Sequence, residues 1–202
     1  MTPPTPLSRR DALARIALVM GGAFVGSAAY LRGEPLTGKL VSANFNAADI
    51  HLLDEIGDTI IPVTDTPGAK QVGIGGFMAM MVVDCYDDAH HAAFMAGLVK
   101  VDTACRERYG RKFTDALPAE RTALLNELDT EQRKHTAAKQ ADEPAHYFRM
   151  MKQMTLLGYF TSEIGATQVL RYVEVPGRYD GNAPYKKGDL NWFVAPSKGL
   201  QI

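Results

Sequence analysis

The 202-residue chain has only two cysteines, Cys85 and Cys105. Two cysteines do not make a disulfide scaffold, and they exclude zinc sites and iron–sulfur clusters built on four cysteines of this chain. Charge of one sign is also missing: Lys+Arg is 22 against Asp+Glu 23. No basic excess points to a nucleic-acid face. Long apolar runs are absent apart from one short stretch near the start, which excludes a multi-span membrane protein. Hydrophobic residues make up 46% and charged residues 22%, enough apolar surface to build a core.

Standard chemical signatures are scarce too. Gly73-Ile74-Gly75-Gly76 begins like a dinucleotide fingerprint, but Met78 stands where the third glycine belongs. No strand precedes it, so it reads as a flexible start to a helix. There is no C-x-x-C, no C-x-x-C-H and no G-x-S-x-G. Asp84, Asp87, Asp88, His90 and His91 cluster locally. Adjacent histidines on a helix point about 100° apart and share a metal poorly, so capping aspartates at a helix junction account for the cluster better. His51, His135 and His146 are scattered, and nothing in the residues around Cys85 or Cys105 supports nucleophilic thiol chemistry.

The first thirty residues have the layout of an export signal. Ser8-Arg9-Arg10-Asp11 and Arg15 precede fourteen uncharged residues, Ile16 to Ala29. A basic segment followed by an apolar run of about this length is the plan of a signal peptide. Paired Arg9 and Arg10, with Leu13 three positions on, resemble the bacterial twin-arginine signal, which routes folded cargo. Ser27-Ala28-Ala29 is a small-residue cleavage site; uncut, residues 16–31 serve as a membrane anchor. Residues 1–30 take three arginines and one aspartate, leaving 19 basic and 22 acidic residues in a mildly acidic body.

That body reads as helices. Asn46 caps a helix carrying Ile50, Leu53, Ile56 and Ile60, which Pro62 ends at Ile61. The Pro62–Ala69 loop has two prolines and a Pro-Gly step, predicting a rigid turn. Residues 74–86 form a second helix. Asp87 or Asp88 caps a third, with Phe94, Leu98, Val101 and Cys105 on one face and Gly110 as its stop. Pro118 opens a fourth, with Leu124, Leu125 and Leu128 buried. Residues 129–142 read as a solvated extension or a linker. Pro144 starts a fifth helix through Tyr147, Phe148, Met151, Met154 and Leu157. Tyr159–Gly165 is a break, followed by a short helix to about Val173. From Val175 the chain has three prolines, four glycines and no helical period. Such a tail lies along another surface, on this domain or on a partner. If helices 74–86 and 89–109 form an antiparallel hairpin, Cys105 lies roughly 24 Å from Cys85, beyond disulfide reach. The expected fold is mainly α. It is a small helical bundle over 46–174, with a signal segment over 1–30, a linker over 31–45 and an irregular tail over 175–202.

Several motifs occur in one order. Ile60-Ile61-Pro62-Val63-Thr64-Asp65-Thr66-Pro67-Gly68-Ala69 resembles the "IIP-x-TDTPGA" signature of the gluconate 2-dehydrogenase subunit 3 family, continued by Gly73-Ile74 and Phe77. Leu117-Pro118-Ala119-Glu120-Arg121 resembles its "LSPAER" block. Gly158-Tyr159-Phe160-Thr161-Ser162-Glu163-Ile164-Gly165 resembles "GYFTSE-x-G", and Tyr172 to Tyr179 resembles "Y-x-x-VPG-x-Y". The resemblance implies a non-catalytic small subunit of a periplasmic sugar or sugar-acid dehydrogenase. It places FAD on a large glucose–methanol–choline-type partner subunit, often with a cytochrome c subunit. The small subunit supplies the export signal and helps the flavoprotein mature. No catalytic, cofactor or metal residue is carried over to this chain. The partner-contact candidates are Thr64, Asp65, Pro67 and Gly68 in the loop, Tyr159, Phe160 and Glu163 in the break, and the aromatics Tyr179, Tyr185 and Trp192. Two other readings compete: a stand-alone periplasmic scaffold or binding protein, and an enzyme using metal at Asp84, Asp87, His90 and His91.

Overall fold

The structure, a computed structural model, describes residues 44–173, 177 and 182–194. The export signal with Arg9 and Arg10, Tyr179 and most of the tail lie outside the described residues. The described residues from Phe45 onward belong to one compact unit, and it is mainly α. Phe45 is buried in the core, edge-on to Phe94.

Helix α1 spans Ala47–Ile60. Asn46 Oδ1 accepts from the N–H groups of Ala48 and Asp49, and Asp49 Oδ2 accepts from the Asn46 N–H, so both partners of a capping box are present. Leu52, Leu53 and Ile56 form its buried stripe, and the helix ends at Ile61 ahead of Pro62. A loop over 62–68 leads into a 3-10 turn, Ala69–Val72. Gly73 joins this turn to helix α2, Ile74–Cys85, at φ 67°, a left-handed conformation that favours glycine.

The glycine-rich start of α2 is tightly packed rather than flexible. A Cβ on Gly75 would lie 2.4 Å from the Ile50 carbonyl oxygen, and one on Gly57 would lie 2.5 Å from Ile74 Cγ2. These two glycines let α1 and α2 approach closely. The Gly75 N–H, free of a partner within its own helix turn, donates to Asp54 Oδ1 at 2.7 Å.

Helix α3, Asp88–Tyr109, is capped by Asp87 and stopped by left-handed Gly110. Phe94, Leu98, Val101 and Cys105 are all buried, as their spacing implies. Helix α4, Pro118–Ala138, buries Leu124, Leu125 and Leu128 and continues through the polar stretch 129–138. Helix α5, Tyr147–Thr161, starts three residues after Pro144, with His146 as its cap.

Helix α5 is the axis of the bundle and packs against each of the other four helices. Phe148, Met150, Met151, Met154 and Tyr159 are buried on it, whereas Leu157 faces outward at 47% exposure. Each buried side chain of this size contributes roughly 2 kcal/mol. The closely packed hairpin expected of α2 and α3 is not formed. α2 packs chiefly on α1 and α5, and α3 on α5. Both cysteines are free, Cys85 exposed and Cys105 buried.

Two further corrections concern the end of α5. The break expected over Tyr159–Gly165 does not start at Tyr159: the helix runs on to Thr161. A Cβ at Gly158 would lie 2.4 Å from Phe77 Cδ1, so this glycine serves the α2–α5 contact. The expected short helix is a π turn, Gly165–Val169, and it stops before strand β1, Arg171–Val173. β1 pairs in parallel with β2, Trp192–Val194, with Arg171 opposite Trp192. Part of the tail is therefore tied to this domain's own backbone. No helix among the described residues is long and apolar enough to cross a membrane.

The α1–α2 contact yields a paired test. Gly75→Ala is expected to destabilise by about 2 kcal/mol through overpacking. Gly76→Ala, where a Cβ meets nothing within 4 Å, is expected to stabilise by up to about 1 kcal/mol through helix propensity. Urea unfolding midpoints of the two variants check the pair.

Candidate functional site

One end of the bundle gathers the segments with unusual sequence. The loop over 62–68 is braced internally: the Thr64 N–H donates to the Thr66 carbonyl, and the Thr64 hydroxyl donates to Asp65 Oδ1, both at 3.0 Å. The Gly68 N–H donates to Gln71 Oε1. Gly68 is buried, and a Cβ there would lie 2.7 Å from Asp58 Oδ1 and 2.9 Å from the Val63 nitrogen. Only glycine leaves room for that closure.

Tyr159 holds the loop from behind. It is 1% exposed, and its hydroxyl donates to the Pro67 carbonyl. Its own carbonyl accepts from the Ser162 hydroxyl at 2.7 Å, and Ser162 Oγ accepts from the Gly165 N–H at 3.0 Å. The turn after α5 and the loop after α1 are thus joined through one residue, by the backbone carbonyl of Tyr159 on one side and its hydroxyl on the other. Being buried, Tyr159 supports the surface rather than forming it. Phe160 is half-buried beside it, edge-on at 5.2 Å, and Glu163 is exposed. Thr64 and Asp65 are exposed, and Pro67 is half-buried.

Beneath the loop lies an ion network that the motifs did not reveal. Glu55 of α1 is buried and accepts from Lys70 in the 3-10 turn and from Arg121 of α4. Burial alone pushes the Glu55 carboxyl up. The hydrogen bonds from Lys70 and Arg121 outweigh it and hold the carboxyl below its ordinary range. Arg121 also donates to the carbonyls of Ala116 and Thr114 and lies over the Phe113 ring. The sequence signal was an acid inside an apolar stripe, between Leu52, Leu53 and Ile56, where a buried charge demands a partner.

The remaining candidates lie elsewhere. Tyr185 and Trp192, 70% and 54% exposed, line a groove of about 380 Å³ with Arg171, Pro184 and Leu190. The Arg171 guanidinium sits 4.1 Å from the centre of the Trp192 ring, a cation–π contact. Asp87 Oδ1 accepts from the His90 N–H at 2.8 Å and meets His90 Nδ1 at 2.7 Å, a helix cap. That backbone hydrogen bond, then the side-chain one, holds the Asp87 carboxyl below its ordinary range. Among the described residues, no three His, Cys, Asp or Glu side chains are grouped to hold a metal ion. Burial pushes the Cys105 thiol up, away from the reactive thiolate.

The fold and this braced end define a small, mainly α domain that presents a braced loop at one end of its bundle. The family model for gluconate 2-dehydrogenase subunit 3 matches residues 47–177. The chain belongs to that family, whose name is that of one subunit of a multi-subunit dehydrogenase. No curated protein and no solved structure matches the chain.

Two outcomes test the braced end. Glu55→Gln leaves Arg121 buried without its carboxylate and is expected to cost about 3 kcal/mol at neutral pH. The Glu55 carboxylate contributes stability that is complete above its unfolded pKa, near 4.5, and is lost as pH falls through the lowered folded value. The gap between wild type and variant, read from urea midpoints, should therefore close on acidification below that range. Tyr159→Phe removes the bond to Pro67 and is expected to cost about 1–2 kcal/mol. Hydrogen exchange should show the loosening concentrated at residues 62–69.

Proposed function

We propose that this chain is the non-catalytic small subunit of an FAD-dependent dehydrogenase of the glucose–methanol–choline type that oxidises a sugar or sugar acid. It supplies the export signal, travels folded with the flavoprotein by the twin-arginine route, and helps that partner mature and stay stable in the periplasm. FAD is held by the partner, and a cytochrome c subunit is a further candidate member of the complex. The observation that carries this reading is the family match across residues 47–177, behind a segment with the layout of a twin-arginine signal.

The braced loop supports the same reading. A surface that must dock a large partner gains affinity when it is already held in its bound shape. The backbone of residues 64–68 is fixed by glycine packing and by Tyr159, while Thr64 and Asp65 remain exposed. With Phe160 and Glu163 they are the contact residues proposed at this end. Tyr185 and Trp192 offer the aromatic anchors that dominate interface energetics.

The test is affinity purification of the tagged chain from its native cell, followed by an absorbance scan and mass spectrometry. Co-purification of a large protein with a flavin band is expected. Replacing Arg9 and Arg10 by lysine is expected to retain both subunits and the dehydrogenase activity in the cytoplasm. A colourless, solitary chain, or unchanged export of the large subunit in the double variant, would overturn the carrier role.

A further inference from the structure

At the opposite end of the α4–α5 pair, one buried histidine holds the junction together. His146 is 8% exposed and precedes the first residue of α5. Its Nδ1 accepts from the Phe148 N–H at 3.2 Å, so that nitrogen carries the lone pair. Nε2 then carries the proton and faces Glu131 Oε1 on α4 at 3.3 Å. The ring packs against Tyr147 at 4.3 Å and His135 at 5.5 Å between centroids. His135 Nδ1, also buried, has no hydrogen-bond partner among the described residues.

The connection between α4 and α5 has few other ties. Lys139, Gln140 and Glu143 bond to one another: the Lys139 ammonium donates to the Gln140 and Glu143 carbonyls, and the Gln140 N–H donates to Glu143 Oε2. That turn closes on itself. His146 links it to α4 through Glu131 and to α5 through Phe148.

We propose that His146 is a pH-operated latch, whose protonation removes the N-terminal cap of α5 and loosens residues 139–148. A second proton must sit on Nδ1, where it meets the Phe148 N–H, donor against donor. The new charge also lies at a helix N-terminus, the end that disfavours cations. The groups facing it add to the cost. Lys100 of α3 lies 5.5 Å from the Tyr147 ring centre, and His135 of α4 adjoins the imidazole. The Tyr147 hydroxyl, pushed up to about 12 by burial, stays neutral and gives no counter-charge. Among the described residues Glu131 is the carboxylate that attracts the proton, and its side chain is mostly exposed, so solvent screens the pair. Burial, helped by His135 and Lys100, prevails over Glu131 and holds the His146 pKa below its ordinary value.

The sign follows from linkage. A histidine kept neutral by folding contributes its stability in full above its unfolded pKa, about 6.5, and loses it as pH falls through the lower folded value. An asparagine or serine at this position would cap α5 at every pH. Histidine caps only while neutral. The opening is also bounded. Further along the pair, Lys152 and Arg133 engage Asp129, and the Lys152 hydrogen bond holds that carboxyl below its ordinary range despite burial. Glu55 does the same at the far end. Only the His146 end releases in mild acid.

The experiment uses the full chain, wild type and His146→Asn. Histidine ring resonances are followed by NMR through the acid range, and amide hydrogen exchange is compared at about pH 7.5 and about pH 5 after correction for intrinsic rates. His146 is expected to titrate below about 6.5. Protection at residues 146–150 is expected to fall about fivefold in mild acid, as the loss of one cap produces, while α1 is unchanged. In His146→Asn, protection at these residues is expected to be the same at both pH values. Titration of wild-type His146 at or above the ordinary value would overturn the latch, whether or not the variant folds. So would equal acid loss of protection in both proteins.

Discussion

The Glu55 carboxylate, buried and paired with two cations, fixes how the helices of this domain meet at the end that carries the loop over 62–68. It accepts from Lys70 in the turn before α2 and from Arg121 at the start of α4. Arg121 in turn satisfies the Thr114 and Ala116 carbonyls of the α3–α4 connection. One carboxylate therefore sets the positions of α1, the approach to α2 and the first turn of α4. An ion pair in this setting does not stabilise more than a well-packed apolar cluster would. It acts on specificity, because only one arrangement of the three elements satisfies all the charges. The loop over 62–68 is built on that frame, and Tyr159 closes it from α5.

The relation between the family's motifs and the core is now physical. The "IIP-x-TDTPGA", "LSPAER" and "GYFTSE-x-G" blocks are far apart in sequence. Arg121 of the second reaches Glu55, which also holds Lys70 just after the first. Tyr159 of the third reaches Pro67 of the first. Gly158 of the third lies against Ile74 and Phe77, the continuation of the first. The three blocks are parts of one packed junction in this chain, and of the contact candidates on them Thr64, Asp65 and Glu163 are exposed. This narrows where a partner can be read from sequence. Tyr159 carries much of the resemblance yet offers a partner no surface.

Helix existence was legible because caps and stops are local. Asn46, Asp87, Gly110 and Pro118 each act within one turn of chain, and each stands where its chemistry implies. Helix pairing was not legible in the same way. The expected α2–α3 hairpin failed because the short connection does not decide which face of α2 is covered, and α2 is apolar along its length up to Asp84. The break expected over Tyr159–Gly165 begins later, because α5 runs on to Thr161; the Gly158 before it serves a helix contact rather than a helix end, and only the position of Phe77 shows which. The parallel β1–β2 pair was hidden for a further reason. Three-residue strands leave too little alternation to detect, and their pairing joins residues about twenty positions apart.

The two ends of the α4–α5 pair differ in the chemistry that holds them, and this difference gives the domain its asymmetry. At the loop end, a carboxylate held below its ordinary range binds two cations, and a buried tyrosine hydroxyl closes the loop. At the other end the cap depends on a neutral imidazole. Solvent-facing loops need not be the loosest parts of a protein; stability follows the groups that hold each segment. Here the exposed loop is the firm part, because its supports are buried. A rigid loop suits a partner interface, where any ordering left to be done at docking subtracts from affinity. Softening confined to the far end leaves that loop undisturbed, since the Asp129–Lys152 pair lies between the two.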